Sequence, residues 1–209
     1  MTMRRPRFIA EQARNACGPL GRLIAFIMAR ETWAQNRRAI DALEVQPTDH
    51  VLDLGCGPGR ALLELAARTP RGRAVGADPS ELMAEIALER NRKLVRAGRV
   101  TVAVAGVEAL PFPEASFDRV LCVHAVYFWP DLDRGLREIS RVLKPGGRLV
   151  MLFWTGADAA SIYRFPSEIY RFRSIDDVEV AAGRAELTMA GSFARSEPAL
   201  VIATRRLGA

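Results

Sequence analysis

The stretch that decides the fold lies at residues 51–60 and reads VLDLGCGPGR. An apolar run is interrupted by one acid, Asp53, and is followed by Gly55, Gly57 and Gly59. Glycine loses more backbone freedom on folding than any other residue, so it is costly unless its freedom is used. Three glycines so close together indicate a turn with unusual dihedral angles, or a backbone that something must approach closely.

Short apolar segments alternate with helical patterns on both sides of this loop. Strands are predicted at 51–54, 74–77, 100–105, 120–123 and 148–154. Helices are predicted at 22–45, 61–68, 80–97 and 131–143, with a short one from Ser174. Such alternation is typical of a parallel sheet covered on both faces by helices, an α/β fold. Two last strands, at 186–190 and 199–204, predict a closing hairpin. We expect an N-terminal helical lid (residues 1–45) on a main domain (residues 46–209).

The positive charge of the chain is concentrated near its start. The net charge is +6, and residues 1–40 hold eight arginines against two glutamates. Such an arm could meet an anionic membrane surface or nucleic acid, or it could be the solvated face of a helix. The few aromatic residues of this segment do not alternate with the arginines as a nucleic-acid platform requires, so nucleic acid is not expected as a partner.

The cysteines and the apolar segments set the expected compartment. Cys17, Cys56 and Cys122 are far apart and form no C-x-x-C pair, so neither a disulfide framework nor a metal site is predicted. The apolar stretch at 23–29 is too short to span a bilayer and lies behind charged residues, unlike a signal peptide. We therefore expect a soluble, cytoplasmic protein.

The glycine loop is not a phosphate or dinucleotide loop. The G-x-G-x-x-G fingerprint needs a glycine where Arg60 stands, and a phosphate loop needs a lysine in the next turn. Asp53 would repel a pyrophosphate, but it would attract an ammonium group. The loop therefore suits a zwitterion, with its amino group toward the acid and its carboxylate toward the loop amides.

A second acid, Asp78, ends the next predicted strand 19 residues after Gly59. An acid at about this distance on the neighbouring strand accepts hydrogen bonds from ribose hydroxyls. The alternative is that Asp78 belongs to the Asp-Pro-Ser cap of the following helix. The two acids together predict a site for an amino-acid nucleoside.

Four ordered motifs, VLDLGCGPG, GADPSELM, VEALPFPEASFD and LREISRVLKPGGRLVML, resemble class I S-adenosylmethionine-dependent methyltransferases. The similarity is to the type 11 small-molecule group, which includes ubiquinone/menaquinone-biosynthesis enzymes, and runs over about residues 36–154. It implies a Rossmann-like, seven-stranded, mostly parallel sheet with an antiparallel last strand. It also implies S-adenosyl-L-methionine as cofactor, its methionine part surrounded by Asp53, Gly55, Cys56, Gly57 and Gly59. The ribose would meet Asp78, and the adenine would meet Pro79, Met83, Val107 and Glu108.

Two positions depart from the family pattern. Gly106 stands where relatives often carry an acid that accepts from the adenine amino group, so the backbone of Gly106 and Val107 would replace it. His124 stands where relatives often have asparagine, at the end of the fourth strand. It is the candidate general base, followed on the same loop by Tyr127 as a second candidate catalytic residue. The alternative for His124 is a pocket-lining or cofactor-binding histidine without proton transfer, and the alternative for Tyr127 is core packing.

Several aromatic and apolar residues are candidates for an acceptor site. They are Tyr163, Phe165, Tyr170 and Phe172, with Phe26, Met28 and Trp33 of the N-terminal helix. The leading hypothesis is methyl transfer to a small organic acceptor, such as a quinone-like or natural-product ring. One alternative is a phospholipid or another amphiphile at a membrane surface, reached through the basic N-terminal helices. A second alternative is a cofactor-binding protein repurposed for non-methylating catalysis or regulation. The acceptor and the oligomeric state are left open.

Overall fold

A single sheet of seven strands organises the computed structural model, which describes residues 6–156, 165–193 and 198–207. The strands are β1 His50–Leu54, β2 Arg73–Asp78, β3 Val100–Val104, β4 Phe117–Val123, β5 Leu143–Phe153, β6 Leu187–Phe193 and β7 Ala199–Arg205. Their order is β3-β2-β1-β4-β5-β7-β6. The strands from β3 to β5 pair in parallel, and β7 is antiparallel to both β5 and β6. This confirms the predicted fold class, including the antiparallel last strand.

Helices cover both faces of the sheet. They are α1 Arg7–Arg14, α2 Gly18–Glu31, α3 Trp33–Ala42, α4 Arg60–Arg68, α5 Glu81–Arg90, α6 Arg92–Arg96, α7 Leu132–Val142 and α8 Ile175–Arg184, with one 3-10 turn at Val126–Phe128. Alternate residues of β1 enter different cores. Leu52 packs with α7 and α8, whereas Val51 packs with α3 and α4. A strand buried on both faces must be apolar throughout, which explains its nearly continuous hydrophobic sequence.

Two predicted helices are divided in the structure. The helix predicted over 22–45 ends at Glu31 and restarts at Trp33, because Thr32 has a ψ of 2° and does not continue the α-helical path. The Asn36 amide donates to the Thr32 carbonyl at 3.0 Å and holds this junction. The helix predicted over 80–97 is interrupted at Asn91, whose amide donates to the Gly59 carbonyl at 2.9 Å. An asparagine hydrogen bond therefore accompanies each break. The first bond lies within one helical turn, and the second joins the end of α5 to the glycine loop.

The N-terminal helices lie against the carboxyl edge of the sheet. The Ser80 hydroxyl donates to the Ala16 carbonyl at 2.8 Å, and the Arg60 guanidinium donates to the Ala29 carbonyl at 2.9 Å. Arg22 of α2 pairs with Glu85 of α5 at 2.6 Å. No helix within the described ranges combines the length and apolar character that crossing a membrane requires. The division into a lid and a main domain remains a prediction, but these contacts place the N-terminal helices beside the site.

Candidate functional site

One cavity of about 480 Å³ opens at the carboxyl edge of the sheet. The ends of β1, β2 and β4 meet there, because parallel strands deliver their carboxyl ends to the same edge. Its walls are formed by residues 53–58, 60–61, 78–80, 83, 105–109, 123–125 and 128–130, and on the N-terminal side by 13–16, 29, 32–33 and 36. Most of the predicted cofactor residues are thereby brought together around one space.

The three glycines of the loop serve different purposes. All have positive φ, 73° at Gly55, 50° at Gly57 and 70° at Gly59, a conformation that side chains disfavour. A Cβ added to Gly57 would meet nothing within 4 Å, and Gly57 lines the cavity. At Gly59 it would lie 2.7 Å from the Cβ of Ala87 on α5, and Gly59 is not among the lining residues. Gly59 therefore allows close packing of the loop on α5, and the cofactor contact predicted for it stays a prediction.

Asp78 is held by two backbone N–H groups. Its Oδ2 accepts from the Gly57 N–H and its Oδ1 from the Ser80 N–H, each at 2.9 Å. Burial raises the pKa of Asp78, and these two hydrogen bonds act in the opposite direction. Ser80 is the N-cap of α5, since its hydroxyl accepts from the Met83 N–H at 3.2 Å. Asp78 thus fixes the glycine loop relative to the start of α5, and its remaining lone pairs line the cavity.

Asp53 is buried but only partly satisfied. It is 3% exposed, it lines the cavity, and its Oδ2 has no hydrogen-bond partner among the described residues. Burial, together with the nearby charge of Asp78, raises the pKa of Asp53 to about 7. A buried acceptor without a partner is costly, so a donor supplied by a ligand would be favourable here. An ammonium group would satisfy the oxygen and also stabilise the carboxylate form.

Cys56 lines the cavity between the two acids as a thiol. Burial, followed by the charges of Asp53 and Asp78, raises the pKa of Cys56 well above its ordinary value. A thiolate is the nucleophilic form of cysteine, so this environment disfavours nucleophilic chemistry. The position agrees with the interpretation of Cys56 as a small residue that fills the loop.

The residues predicted around an adenine line the other end of the cavity. Pro79, Met83, Gly106, Val107 and Glu108 are all among its walls. Gly106 has open space where a Cβ would stand, so its backbone is accessible to a ligand. The Glu108 carboxylate accepts from the Asp131 N–H at 2.8 Å, which ties it to the start of α7. The contact of an adenine with the backbone of Gly106 and Val107 stays a prediction.

His124 lines the cavity at the end of β4 with both ring nitrogens engaged. Nε2 lies 2.5 Å from the Gln35 Oε1 of α3, and Nδ1 lies 3.0 Å from the Tyr127 hydroxyl. An amide oxygen only accepts, so Nε2 carries the proton in this arrangement and Nδ1 accepts from the tyrosine. Burial lowers the pKa of His124 to about 4. The imidazole is therefore neutral and has no free lone pair for a proton from an acceptor.

Tyr127 lies behind His124, outside the cavity walls. Its hydroxyl accepts from the Trp154 N–H at 2.5 Å, and its ring is 3% exposed. Burial raises the pKa of the phenol above its ordinary value, so it stays protonated. Tyr127 is placed to orient His124, and a catalytic contact with a ligand does not follow from its position.

The predicted acceptor residues divide into two groups. Trp33 lines the cavity, whereas Phe26 is 53% exposed and is not among the lining residues. Tyr170 and Phe172 pack on Tyr127 with ring centroids at 5.7 and 5.4 Å, and Phe165 packs on Tyr170. Tyr163 and the side chain of Met28 lie outside the described residues. Of this set, Trp33 is the residue in contact with the cavity.

The sequence analysis missed several residues at the site. Arg60 lines the cavity, and its guanidinium lies 4.1 Å from the centre of the Trp33 ring, a cation–π contact. Gln35 and Asn36 come from the helix that the sequence predicted to be continuous. Arg60 had one signal in the sequence, because it stands where the dinucleotide fingerprint has its third glycine. Gln35 and Asn36 had none, since no local pattern assigns a polar helix residue to a cavity.

No group of three or more His, Cys, Asp or Glu residues that could hold a metal occurs within residues 6–156, 165–193 and 198–207. The charged and titratable groups of the cavity walls include the carboxylates of Asp53, Asp78 and Glu108, the guanidinium groups of Arg14 and Arg60, and the imidazole of His124. This donor set fits a zwitterionic nucleoside. Acids are available for an ammonium group and for sugar hydroxyls. The loop N–H groups at residues 55, 56, 57 and 59 already donate to Ala77, Asp78 and Cys56, so a ligand carboxylate would need another donor of the cavity.

Comparison with known proteins gives consistent matches. The family described as "Methyltransferase domain" matches residues 52–151. The ubiquinone/menaquinone biosynthesis C-methyltransferase UbiE of Geobacter sulfurreducens is 39% identical over 134 residues, which cover 64% of this chain and 51% of that protein. The uncharacterized methyltransferase YdaC of Bacillus subtilis is 31% identical over 126 residues, which cover 60% of this chain and 67% of YdaC.

Solved structures agree on the fold. The geranyl diphosphate C-methyltransferase of Streptomyces coelicolor, crystallised with Mg²⁺, geranyl diphosphate and S-adenosyl-L-homocysteine, superposes with a TM-score of 0.71 at 21% identity. The superposition covers 82% of this chain and 77% of that one. This chain matches about half of the length of the first curated relatives, 51%, 56% and 51%.

Proposed function

The chain belongs to the class I S-adenosylmethionine-dependent methyltransferases, and we propose that it transfers a methyl group from S-adenosyl-L-methionine to a small organic acceptor. The observation that carries this proposal is the unpartnered, buried oxygen of Asp53, with free space over the Cα of Gly57 in the same loop. A cofactor with an ammonium group would satisfy the acid, and its chain would have room to lie against the loop at Gly57. A purely apolar ligand would leave the acid without a partner.

Asp78 supports the nucleoside half of the proposal. Its oxygens are already oriented by the Gly57 and Ser80 N–H groups, so hydroxyls that donate to the remaining lone pairs meet a rigid acceptor. Pro79 and Met83 offer apolar contact to a base, and the backbone of Gly106 and Val107 offers polar atoms at its edge. The Asp78 side chain would therefore hold both the glycine loop and the ribose.

S-adenosylmethionine supplies a methyl group already activated by its sulfonium sulfur. The protein then has to align the acceptor and keep water out of the site. We assign His124 to this positioning role, because Gln35 and Tyr127 occupy its two nitrogens and burial keeps it neutral. Base catalysis by His124 would require one of these hydrogen bonds to open. Tyr127 acts through His124 as a second positioning residue.

The acceptor end of the cavity favours a planar apolar molecule. Trp33, Phe128 and Trp129 contribute to the walls of the cavity, which His124 also lines. Aromatic side chains offer flat faces on which a ring can stack. One matched relative is named as a ubiquinone/menaquinone biosynthesis C-methyltransferase, so a quinone-like ring is the acceptor class to test first.

Two measurements test the proposal in sequence. Calorimetry with S-adenosylhomocysteine is expected to show binding by the wild type and strongly weakened binding by Gly57→Ala, whose new methyl group would enter the cavity. Incubation with methyl-deuterated S-adenosylmethionine and quinone-like or natural-product acceptors is then expected to give a labelled product by mass spectrometry. Binding without transfer to any acceptor would favour the repurposed, non-methylating alternative. A lack of cofactor binding would contradict the proposal as a whole.

A further inference from the structure

Exposed apolar side chains are concentrated at the start of the chain. Among the described residues, ten large hydrophobic side chains are exposed, and five of them lie between residues 8 and 27. They are Phe8 on α1 and Leu20, Leu23, Phe26 and Ile27 on α2. Single exposed apolar residues are ordinary, but a cluster of them marks an interaction surface.

Helix α2 is apolar on both of its sides. Ile24 and Ala25 face inward and are buried. Leu20, Leu23 and Ile27 are spaced three and four residues apart, so they share the opposite side, and Phe26 lies beside them. A surface helix normally directs polar residues to water and apolar ones to the core. We call the four residues at positions 20, 23, 26 and 27 the outer face of α2, and the fold of the chain leaves it exposed.

Positive charge borders the outer face of α2. Arg22 and Arg30 belong to the same helix. Arg22 also pairs with Glu85 at 2.6 Å, with its side chain 47% exposed, and the Arg30 guanidinium lies 5.0 Å from the centre of the Phe26 ring. The eight arginines in residues 1–40 exceed the two acids there by six charges, which equals the net charge of the whole chain. A surface with apolar side chains among arginines is complementary to anionic lipid, whose headgroups attract the cations while the apolar residues enter the interface.

We propose that the outer face of α2, with its flanking arginines, docks the protein on an anionic lipid surface. A second copy of the chain would be a poorer partner, because it would bring two positively charged surfaces together. Helices of this kind lie in the plane of the interface, and α2 has 14 residues, too few to span a bilayer. Docking of this kind does not depend on methyl transfer.

The helix that carries the outer face also reaches the cavity. Ala29 at the end of α2 and Thr32 and Trp33 just after it line the cavity. A protein held by α2 would therefore keep its cavity beside the lipid. Provided that the proposed methyl transfer is correct, acceptors that partition into lipid would reach the site at a raised local concentration.

Vesicle co-sedimentation of the full chain tests the docking directly. One set of vesicles is phosphatidylcholine alone, and the other contains about one third phosphatidylglycerol, the anionic probe. We expect binding to the anionic vesicles that weakens as salt is raised, and at least about tenfold less binding to neutral vesicles. Leu23→Asp should lower binding to anionic vesicles by about tenfold or more. Absence of binding to both sets, or equal binding to both, would overturn the proposal.

Val180→Asp is the matched control. Val180 is 54% exposed and Leu23 is 57% exposed, but Val180 lies on α8, which packs against α7 and β6. The control should bind anionic vesicles as the wild type does, and circular dichroism should show both variants folded. Equal loss in the two variants would contradict a specific docking face. A dimer in light scattering that Leu23→Asp dissociates would assign the face to a second copy of the chain instead. Because none of these assays uses S-adenosylmethionine, their failure is distinct from failure of the proposed function.

Discussion

Two pairs of residues at the sheet edge look equivalent in sequence and are used differently by the fold. Asp78 and Gly59 are occupied by the protein itself: the acid accepts from two backbone N–H groups, and the glycine lets the loop pack on Ala87. Asp53 and Gly57 leave room for a ligand: the acid has an oxygen without a partner in the described structure, and space is free over the Cα of Gly57, whose N–H is one of the two donors to Asp78. The comparison separates residues that build the site from residues that await a ligand.

The largest expected effect comes from exchanging the two glycines for alanine. Gly59→Ala combines a strained positive φ with a clash against α5, so we expect a loss of about 2–4 kcal/mol in the free energy of unfolding. Gly57→Ala carries only the φ cost, about 1–2 kcal/mol, yet should weaken cofactor binding more than its stability loss suggests. Denaturant unfolding and calorimetry on both variants check this. Similar stability losses in the two would show that the glycines are not divided in this way.

Replacement of Asp78 should follow in magnitude. Asp78→Ala removes the acceptor for the ribose and also the anchor of the Gly57 N–H, so we expect cofactor affinity to fall by about 1.5–3 kcal/mol, about 10- to 150-fold in Kd. Calorimetry with S-adenosylhomocysteine measures the change, and Asp133→Ala, at an ion pair with Arg184 on the surface, is the control. Unchanged affinity in Asp78→Ala would reject its role at the sugar.

The open acid should make cofactor binding depend on pH. Asp53 is mostly protonated below about pH 7 in the free protein, and a bound ammonium group favours its carboxylate. Affinity should therefore rise with pH up to about 7, by up to about tenfold per pH unit, and level off above it. Asp53→Asn should bind more weakly and lose this dependence. A wild-type affinity that is constant across pH 7 would contradict an ammonium partner for Asp53.

Asp53 and His124 should act in opposite directions on stability over the same range of pH. The unfolded chain protonates His124 near 6.5 and the folded chain only near 4, so this residue lowers stability as the pH falls from 6.5 to 4. For Asp53 the folded pKa is raised from 3.8 to about 7, so its contribution to the free energy of unfolding increases as the pH falls from about 7 to 3.8. The two slopes partly cancel in the wild type. The free energy of unfolding of His124→Asn, measured at several pH values, should rise toward low pH, because His124 no longer offsets the contribution of Asp53. A pH profile unchanged from the wild type would argue against a neutral imidazole in the folded protein.

The smallest effect is expected at Gln35. Gln35→Leu removes the acceptor of the His124 Nε2–H, and we expect turnover to fall by a few fold, since one neutral hydrogen bond contributes about 1 kcal/mol. Its pH profile at saturating cofactor should gain no limb near the ordinary histidine pKa, because the change leaves His124 buried and removes an acceptor that favours the charged imidazole. Gln35→Glu places a carboxylate beside Nε2, so it should raise the pKa of His124 and add such a limb. A purely structural role would change stability and leave the pH profile unaltered.

Much of the fold followed from local patterns. The apolar strands, the glycine loop and the hairpin at the end were all predicted from short segments, because a strand buried on both faces must be apolar and a loop with positive φ favours glycine. The break between α2 and α3 at Thr32 was missed, since no glycine or proline marks it. That break decides the site, because Trp33, Gln35 and Asn36 all follow it.

The sequence by itself determined the sheet, the loop and the spacing of two acids at its edge, since these depend on neighbours within a few residues of each other. Only the tertiary structure decided which polar groups the protein uses and which it leaves for a ligand. Gln35 meets His124 across 89 residues of chain, and Asp78 meets the Gly57 N–H across 21. Hydrogen-bond partners and close packing depend on distances in space, and a one-dimensional pattern does not contain those distances.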